Sequence, residues 1–240
     1  MLVMKSFNPV ERAKEIESIV MSDGKRKYYR FRYSRYYGGI VTADTVGCNF
    51  LCAYCWNYFK NLHPEKHGKF YSAEEVADKL LAISKKKNVN LFRISGAEPV
   101  LGKKSMEHLV RVIELVGSEF ILETNGFMLG YMPELADMLK GLNVAVRVTI
   151  KGWDEKSFEK ITNAEEKYFV YQIKALENLK SKNVVAWPAI MYDVFGDRGI
   201  EDLRKRLKGI TGRIEFEYLE MYPFVIENLK KRGIGFNHLV

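Results

Sequence analysis

Cysteine is almost missing from this chain: three occur in 240 residues, Cys48, Cys52 and Cys55, all inside one eight-residue run. Thiols so few and so crowded build no disulfide framework, and a reducing, cytoplasmic setting is expected. Long apolar runs are missing too. No segment reaches the ~18 consecutive apolar residues of a membrane-spanning helix. Met1–Lys5 leads straight into charged residues without the apolar core of a signal peptide, so no membrane partner is expected. Glutamine occurs once, as Gln172, beside abundant Lys and Glu; that bias marks hyperthermophile proteomes and points to a thermophile source. Internal repeats, low-complexity tracts and linkers are absent as well, so one domain is expected, of a length that α/β barrels commonly reach.

What is present is a rhythm. Pro9 to Met21 reads as a short amphipathic helix, and a basic, aromatic stretch follows from Lys25 to Tyr37. After Gly38–Gly39, six β-type runs alternate with helical segments: 40–44, 91–95, 120–124, 144–150, 184–190 and 213–219. Most are rich in β-branched and aromatic residues, as strands are. The intervening helices are expected at 72–87, which opens on a Ser72–Glu75 capping box, and at 103–116, 133–140, 165–180 and 199–208. Strand–helix repetition implies an α/β fold with parallel strands and right-handed crossovers. Six strands suit a partly closed barrel or an open doubly wound sheet. Both place ligands at the carboxyl ends of the strands, and the chemically interesting residues follow the first four runs.

Foremost is Cys48-Asn49-Phe50-Leu51-Cys52-Ala53-Tyr54-Cys55. A [4Fe–4S] cube held by protein alone takes four thiolates; three leave one iron open, and a vacant position marks a reactive metal site. On the loop alone, a zinc site with His63 or His67 as fourth ligand, or a redox pair with a spare thiol, also stands open. His63 and His67 flank Pro64, which argues against a regular helix between them. His108 and His238 show no partner in the sequence. The second run ends in Gly96-Ala97-Glu98-Pro99, the third in Glu123-Thr124-Asn125-Gly126, and the fourth in Thr149-Ile150-Lys151-Gly152.

The CxxxCxxC spacing, with an aromatic residue before the last cysteine, resembles the signature of the radical S-adenosylmethionine (radical SAM) superfamily. Gly96–Pro99 resembles its GGEP motif, with Ala at the second glycine, and Glu123–Gly126 resembles a segment of its activating-enzyme-like members. The resemblance implies a partial (β/α)6 TIM-type barrel at 39–220, with a helical and basic extension at 1–38 and a C-terminal segment at 221–240. It implies that Cys48, Cys52 and Cys55 ligate a [4Fe–4S] cluster. Tyr54, Gly96, Ala97, Glu98, Pro99, Thr124, Asn125 and Lys151 are then expected to contact S-adenosylmethionine (SAM), with Arg147 as a further cation on the face of Lys151. It also implies the activity: reductive cleavage of SAM to methionine and a 5′-deoxyadenosyl radical that abstracts hydrogen from a substrate, with ferredoxin or flavodoxin as electron donor.

The small, single-cluster plan is similar to the pyruvate formate-lyase activating enzyme group, which suggests a glycyl-radical-type protein partner. RNA is a second substrate class, motivated by the net charge of +8, by residues 25–37, where arginine and tyrosine interleave, and by Trp56 after the third cysteine, as in wybutosine-forming enzymes. A small purine-like molecule is a third. A non-catalytic Fe–S or zinc module that binds RNA is the alternative of a different class. Met191–Asp193 and Glu220–Tyr222 are the places where substrate contacts are expected, with Asp193 and Tyr222 as candidates.

Overall fold

The computed structural model describes residues 5–236; His238 lies outside them. The helices are α1 (Pro9–Val20), α2 (Tyr58–Leu62), α3 (Ala73–Lys87), α4 (Lys103–Val116), α5 (Phe127–Tyr131), α6 (Glu134–Asp137), α7 (Glu155–Thr162), α8 (Val170–Ser181), α9 (Tyr192–Arg206) and α10 (Pro223–Lys231). The strands are β1 (Met21–Ser22), β2 (Lys25–Ser34), β3 (Ile40–Thr45), β4 (Lys69–Tyr71), β5 (Leu91–Ser95), β6 (Glu119–Thr124), β7 (Val144–Thr149), β8 (Val185–Met191) and β9 (Glu215–Glu217). They form one sheet in the order β1-β2-β3-β5-β6-β7-β8-β9, with β4 on β2. β3 and β5 to β9 run parallel, in sequence order, each joined to the next through helices. That is the partial barrel the six runs imply.

Local signals set several boundaries. Asn8 caps α1 by accepting from Val10 N at 2.9 Å, with Pro9 preset for the first turn. The Ser72–Glu75 capping box forms in both directions and starts α3 where the sequence placed it. The helix expected at 133–140 shortens to α6, Glu134–Asp137, and the short helix α5 before it was not expected. The expected 199–208 helix begins at Tyr192 and carries a kink at Gly196. The last strand is three residues long rather than seven.

The basic stretch 25–37 is mostly β2, which pairs antiparallel with β3 and widens the sheet. Four of its cations find partners in the fold. Arg26 is buried and donates to the carbonyls of Val46 and Glu98. Lys27 donates to those of Pro64 and Glu65, while Arg30 and Arg32 share the buried carboxylate of Asp44 at 2.6 and 2.8 Å. These four cations therefore have partners within the fold, while Lys25 and Arg35 stay exposed.

Along the parallel strands, side chains alternate between the helix layer and the barrel lumen. Phe92, Phe120, Val146 and Val148 pack outward in the main core. Inside, Ile40, Ile121 and Trp187 form an apolar floor. Above it lies a charged layer. Arg93 pairs with Glu123 at 2.6 Å, and Arg147 pairs with Glu215 at 2.9 Å and Glu217 at 2.8 Å. Trp187 Nε1 also donates to Glu215. Ions in such surroundings persist only when paired and hydrogen-bonded, and this layer meets that condition.

Candidate active site

The cysteine loop leaves the end of β3 and is pinned from four sides. Leu51 N and Ala53 N donate to the carbonyls of Thr162 and Ile161 at the end of α7. Arg12 of α1 donates to the carbonyls of Cys48 and Asn61. Arg232, beyond α10, donates to those of Leu51 and Ile161 at 2.7 Å. Asn57 Nδ2 donates to Gly96 O at 2.6 Å and joins this loop to the turn after β5. A short loop carrying three thiols is thereby made rigid by residues scattered from position 12 to 232.

One cavity at the carboxyl ends of the strands gathers the expected residues. Cys48, Cys52 and Cys55 line it together with Tyr54 and Trp56. Gly96, Ala97 and Glu98 form a second wall, Thr124 and Asn125 a third, and Lys151 a fourth. Arg147, Met191 and Glu217 close its lower side. Pro99 is buried but does not line this cavity. Asp193 is also withdrawn from it: its carboxylate accepts from Leu219 N at 2.6 Å. Tyr222 stacks on Phe224 and lines no part of it.

The Gly96–Pro99 turn depends on its first residue. Gly96 has φ +88°, and a Cβ there would stand 3.0 Å from Asp44 Cβ and Thr45 O, so only glycine fits without strain. Ala97 keeps out of the left-handed region, which is why alanine is acceptable where the motif has its second glycine. Glu98 is 3% exposed and faces protein, not solvent. Its carboxylate accepts from Thr124 Oγ1 at 2.6 Å, Asn125 N at 2.7 Å and Val100 N at 3.0 Å. Burial pushes its carboxyl up to about 7 while these donors pull it down. Thr124 is thus committed to Glu98. The Asn125 amide reaches Asn49 Oδ1 at 2.8 Å and Cys48 Sγ at 3.8 Å.

Gln172 went unremarked as a site residue in the sequence, yet it stitches two strand ends, those of β6 and β7. It is fully buried. Its Nε2 donates to Asn125 O at 2.6 Å and Thr149 O at 3.1 Å, and its Oε1 accepts from Lys151 N at 3.0 Å. Lys151 Nζ lies 5.1 Å from the Tyr54 ring centre, a cation–π distance. Gln172, Asn57, Arg12, Arg26 and Arg232 carry no motif; their partners lie 20 or more residues away, so only the single-glutamine count flagged any of them.

The thiols suit a metal cluster. Burial pushes all three up, Cys52 to about 11, so they need a metal to be held as thiolates here. Among the described residues, no three His, Cys, Asp or Glu side chains close on a point where one ion could sit. A zinc ion draws its sulfurs to about 2.3 Å from one centre, whereas a cube takes one thiolate per iron and wants them apart. His63 pairs with Glu65 at 3.5 Å, and neither His63 nor His67 lines the cavity, which removes the zinc reading with a histidine ligand. The buried Tyr54 hydroxyl, on the cavity wall, has no hydrogen-bond partner among the described residues; a polar ligand would supply one.

A profile of the radical SAM superfamily matches residues 43–208. The chain belongs to this superfamily. It is a radical SAM enzyme, and the family implies a [4Fe–4S] cluster and SAM. A Methanocaldococcus jannaschii protein named as a glycyl-radical enzyme activating enzyme is 31% identical over 128 residues, 53% of this chain and 45% of that protein. The 7-carboxy-7-deazaguanine synthase of the same organism is 24% identical over 208 residues, 82% of this chain and 77% of that enzyme. The crystal structure of Streptococcus suis SuiB bound to S-adenosylmethionine superposes with a TM-score of 0.59 at 15% identity, over 78% of this chain and 44% of that one; at that identity the likeness is one of fold. The chain spans about half the length of the glycyl-radical relative it matches.

Proposed function

We propose that this radical SAM enzyme generates its radical at the cavity described above and directs it at a segment of a partner protein, as a glycyl-radical activase does. The carrying observation is that a single cavity collects all three cysteines with Gly96, Ala97, Glu98, Thr124, Asn125 and Lys151. In this reading Cys48, Cys52 and Cys55 hold three irons of the cluster. When bound, the cluster and SAM supply reductive cleavage to methionine and a 5′-deoxyadenosyl radical. The protein's own part is to bind, orient and shield. With the carbonyls of Gly96 and Glu98 taken by Asn57 and Arg26, the Ala97 carbonyl of this turn would accept from the ammonium group of SAM, and the Lys151 ammonium would pair with its carboxylate. Tyr54 places a ring and an unmet hydroxyl beside the adenosyl half. Thr124 and Asn125 act one step removed, by holding the Glu98 turn and the Cys48 loop in register.

Two things favour a protein substrate. The relative named for glycyl-radical enzyme activation shares 31% identity over 128 residues. The lumen beneath the cavity is filled by the Arg93–Glu123 and Arg147–Glu215–Glu217 pairs, so the reacting group must be presented from the mouth, as an extended segment can be. The second reading, a small purine-like substrate, is favoured by the deazaguanine synthase, which this chain matches over 77% of its length.

The test begins with anaerobically reconstituted protein and dithionite. Wild type should form 5′-deoxyadenosine, and the Cys48→Ala, Cys52→Ala, Cys55→Ala triple variant should lose both the iron–sulfur absorbance and the product. Product from the triple variant would sink the assignment. Candidate partner proteins and purine precursors are then compared for stimulation above the uncoupled rate. A carbon-centred radical on the partner, seen by electron paramagnetic resonance, decides for the activase; stimulation by the small molecule alone decides against it.

A further inference from the structure

A second, larger hollow lies behind the cysteine loop. It measures about 1040 Å³ and runs between α2, α7 and α10. Its apolar floor is Tyr58, Phe59 and Phe224, with Phe59 56% exposed and 5.2 Å from Phe224 between ring centres. Five Lys or Arg line it against three Glu. Lys231 is paired with Glu227, and Arg232 is engaged on backbone carbonyls. Lys156 and Lys230 make no ion pair or side-chain hydrogen bond among the described residues, and both are exposed. The hollow touches the cysteine loop directly: Tyr58 N donates to Cys55 O at 3.1 Å, and Arg232 Nη2 donates to the carbonyl of Leu51, the residue before Cys52. It shares no lining residue with the active-site cavity.

We infer that this groove is the landing surface of a small acidic one-electron carrier protein that reduces the cluster. The inference rests on the proposed cluster site and adds to it where the electron enters. Each cleavage of SAM consumes one electron, while the mouth of the barrel must already hold the substrate that receives the radical. A donor therefore needs a face of its own, close to the thiolates and away from the mouth. The groove supplies that face. Its lysines steer an acidic partner and raise the rate of encounter, and its exposed rings give the desolvated centre that a transient interface packs on. The step moves no atoms: the reduced carrier gives one electron to the oxidised cluster and leaves oxidised.

The experiment follows bleaching of the cluster in reconstituted holoenzyme by stopped flow. The reductant is either a reduced acidic [4Fe–4S] ferredoxin or dithionite. In Lys156→Glu/Lys230→Glu, reduction by ferredoxin should slow by about 10-fold or more at low salt and lose most of its dependence on ionic strength. Reduction by dithionite, and the 5′-deoxyadenosine it yields, should be unchanged. Phe59→Ala should weaken ferredoxin binding, read by calorimetry, while sparing the dithionite reaction. Wild-type rates with ferredoxin in the double variant would overturn the inference, as would a wild-type holoenzyme that neither binds the ferredoxin nor takes its electron. Salt-dependent self-association abolished by the same two substitutions would overturn it in favour of a second copy of this chain. Failure of dithionite-driven cleavage in wild type would instead sink the parent reading, so the two are told apart.

Discussion

Glu98 belongs to a motif expected to touch SAM, yet every oxygen it has is turned toward protein. Three donors converge on a carboxylate that is almost wholly buried. Replacing one oxygen by an NH2 group, in Glu98→Gln, sets donor against donor at Asn125 N or at Val100 N, at a cost of about 1–3 kcal/mol. The expected outcome is a lower urea midpoint with an unchanged slope, together with weaker SAM binding by calorimetry; a variant that loses SAM affinity at full stability would return Glu98 to direct ligand contact. His108, by contrast, was a histidine without a visible partner. It sits 5% exposed between Tyr28 Oη at 3.1 Å and Gly24 O at 3.0 Å, and burial pushes its imidazole down to about 4. A group whose folded pKa is depressed stabilises above its unfolded value, near 6.5, and that contribution is lost as pH falls toward 4. Wild type should therefore lose about 3 kcal/mol across this window from this residue. Denaturant titrations at pH 7 and pH 4 should show a smaller difference in His108→Gln than in wild type.

Elements tell the same story at larger size. The centres of the parallel strands were legible because β-branched runs announce themselves; their ends were not. The run 213–219 is mostly loop because Leu219 N is claimed by Asp193, a bond between residues 26 apart that no local pattern encodes. The helix expected from 133 failed for another reason. The chain after β6 turns at once into α5, which lies against α8 so closely that a Cβ on Gly130 would collide with the Tyr171 carbonyl oxygen. Gly130→Ala must push the two helices apart, and a loss of about 3 kcal/mol or more is expected, at the upper end of overpacking costs. Thermal unfolding reads it, and an unchanged melting temperature would mean that α5 and α8 do not pack as described. The three cysteines and the Gly96 turn were readable because their chemistry is local. The bonds that align them, from Asn57, Arg12 and Gln172, span from 21 to 49 residues and had no signature beyond the rarity of glutamine.

The whole molecule is more integrated than a barrel with an N-terminal extension. β2 contributes Arg26 to the Glu98 carbonyl and Tyr28 to the main core, and α1 contributes Arg12 to the cysteine loop. We expect residues 39–240 alone to show no cooperative unfolding transition by calorimetry; a sharp one near the wild-type temperature would make 1–38 a true appendage. Among the described residues no helix is long and apolar enough to cross a membrane. Gln172 carries a last consequence, one of chemical ageing. Amides hydrolyse in hot water, and this chain retains a single glutamine, sealed from solvent with both ends of its amide occupied. Were it to deamidate, a carboxylate oxygen would face the carbonyls of Asn125 and Thr149, and the strand ends around the SAM cavity would part before the core noticed. Old enzyme would then still be folded, and already unable to start its radical.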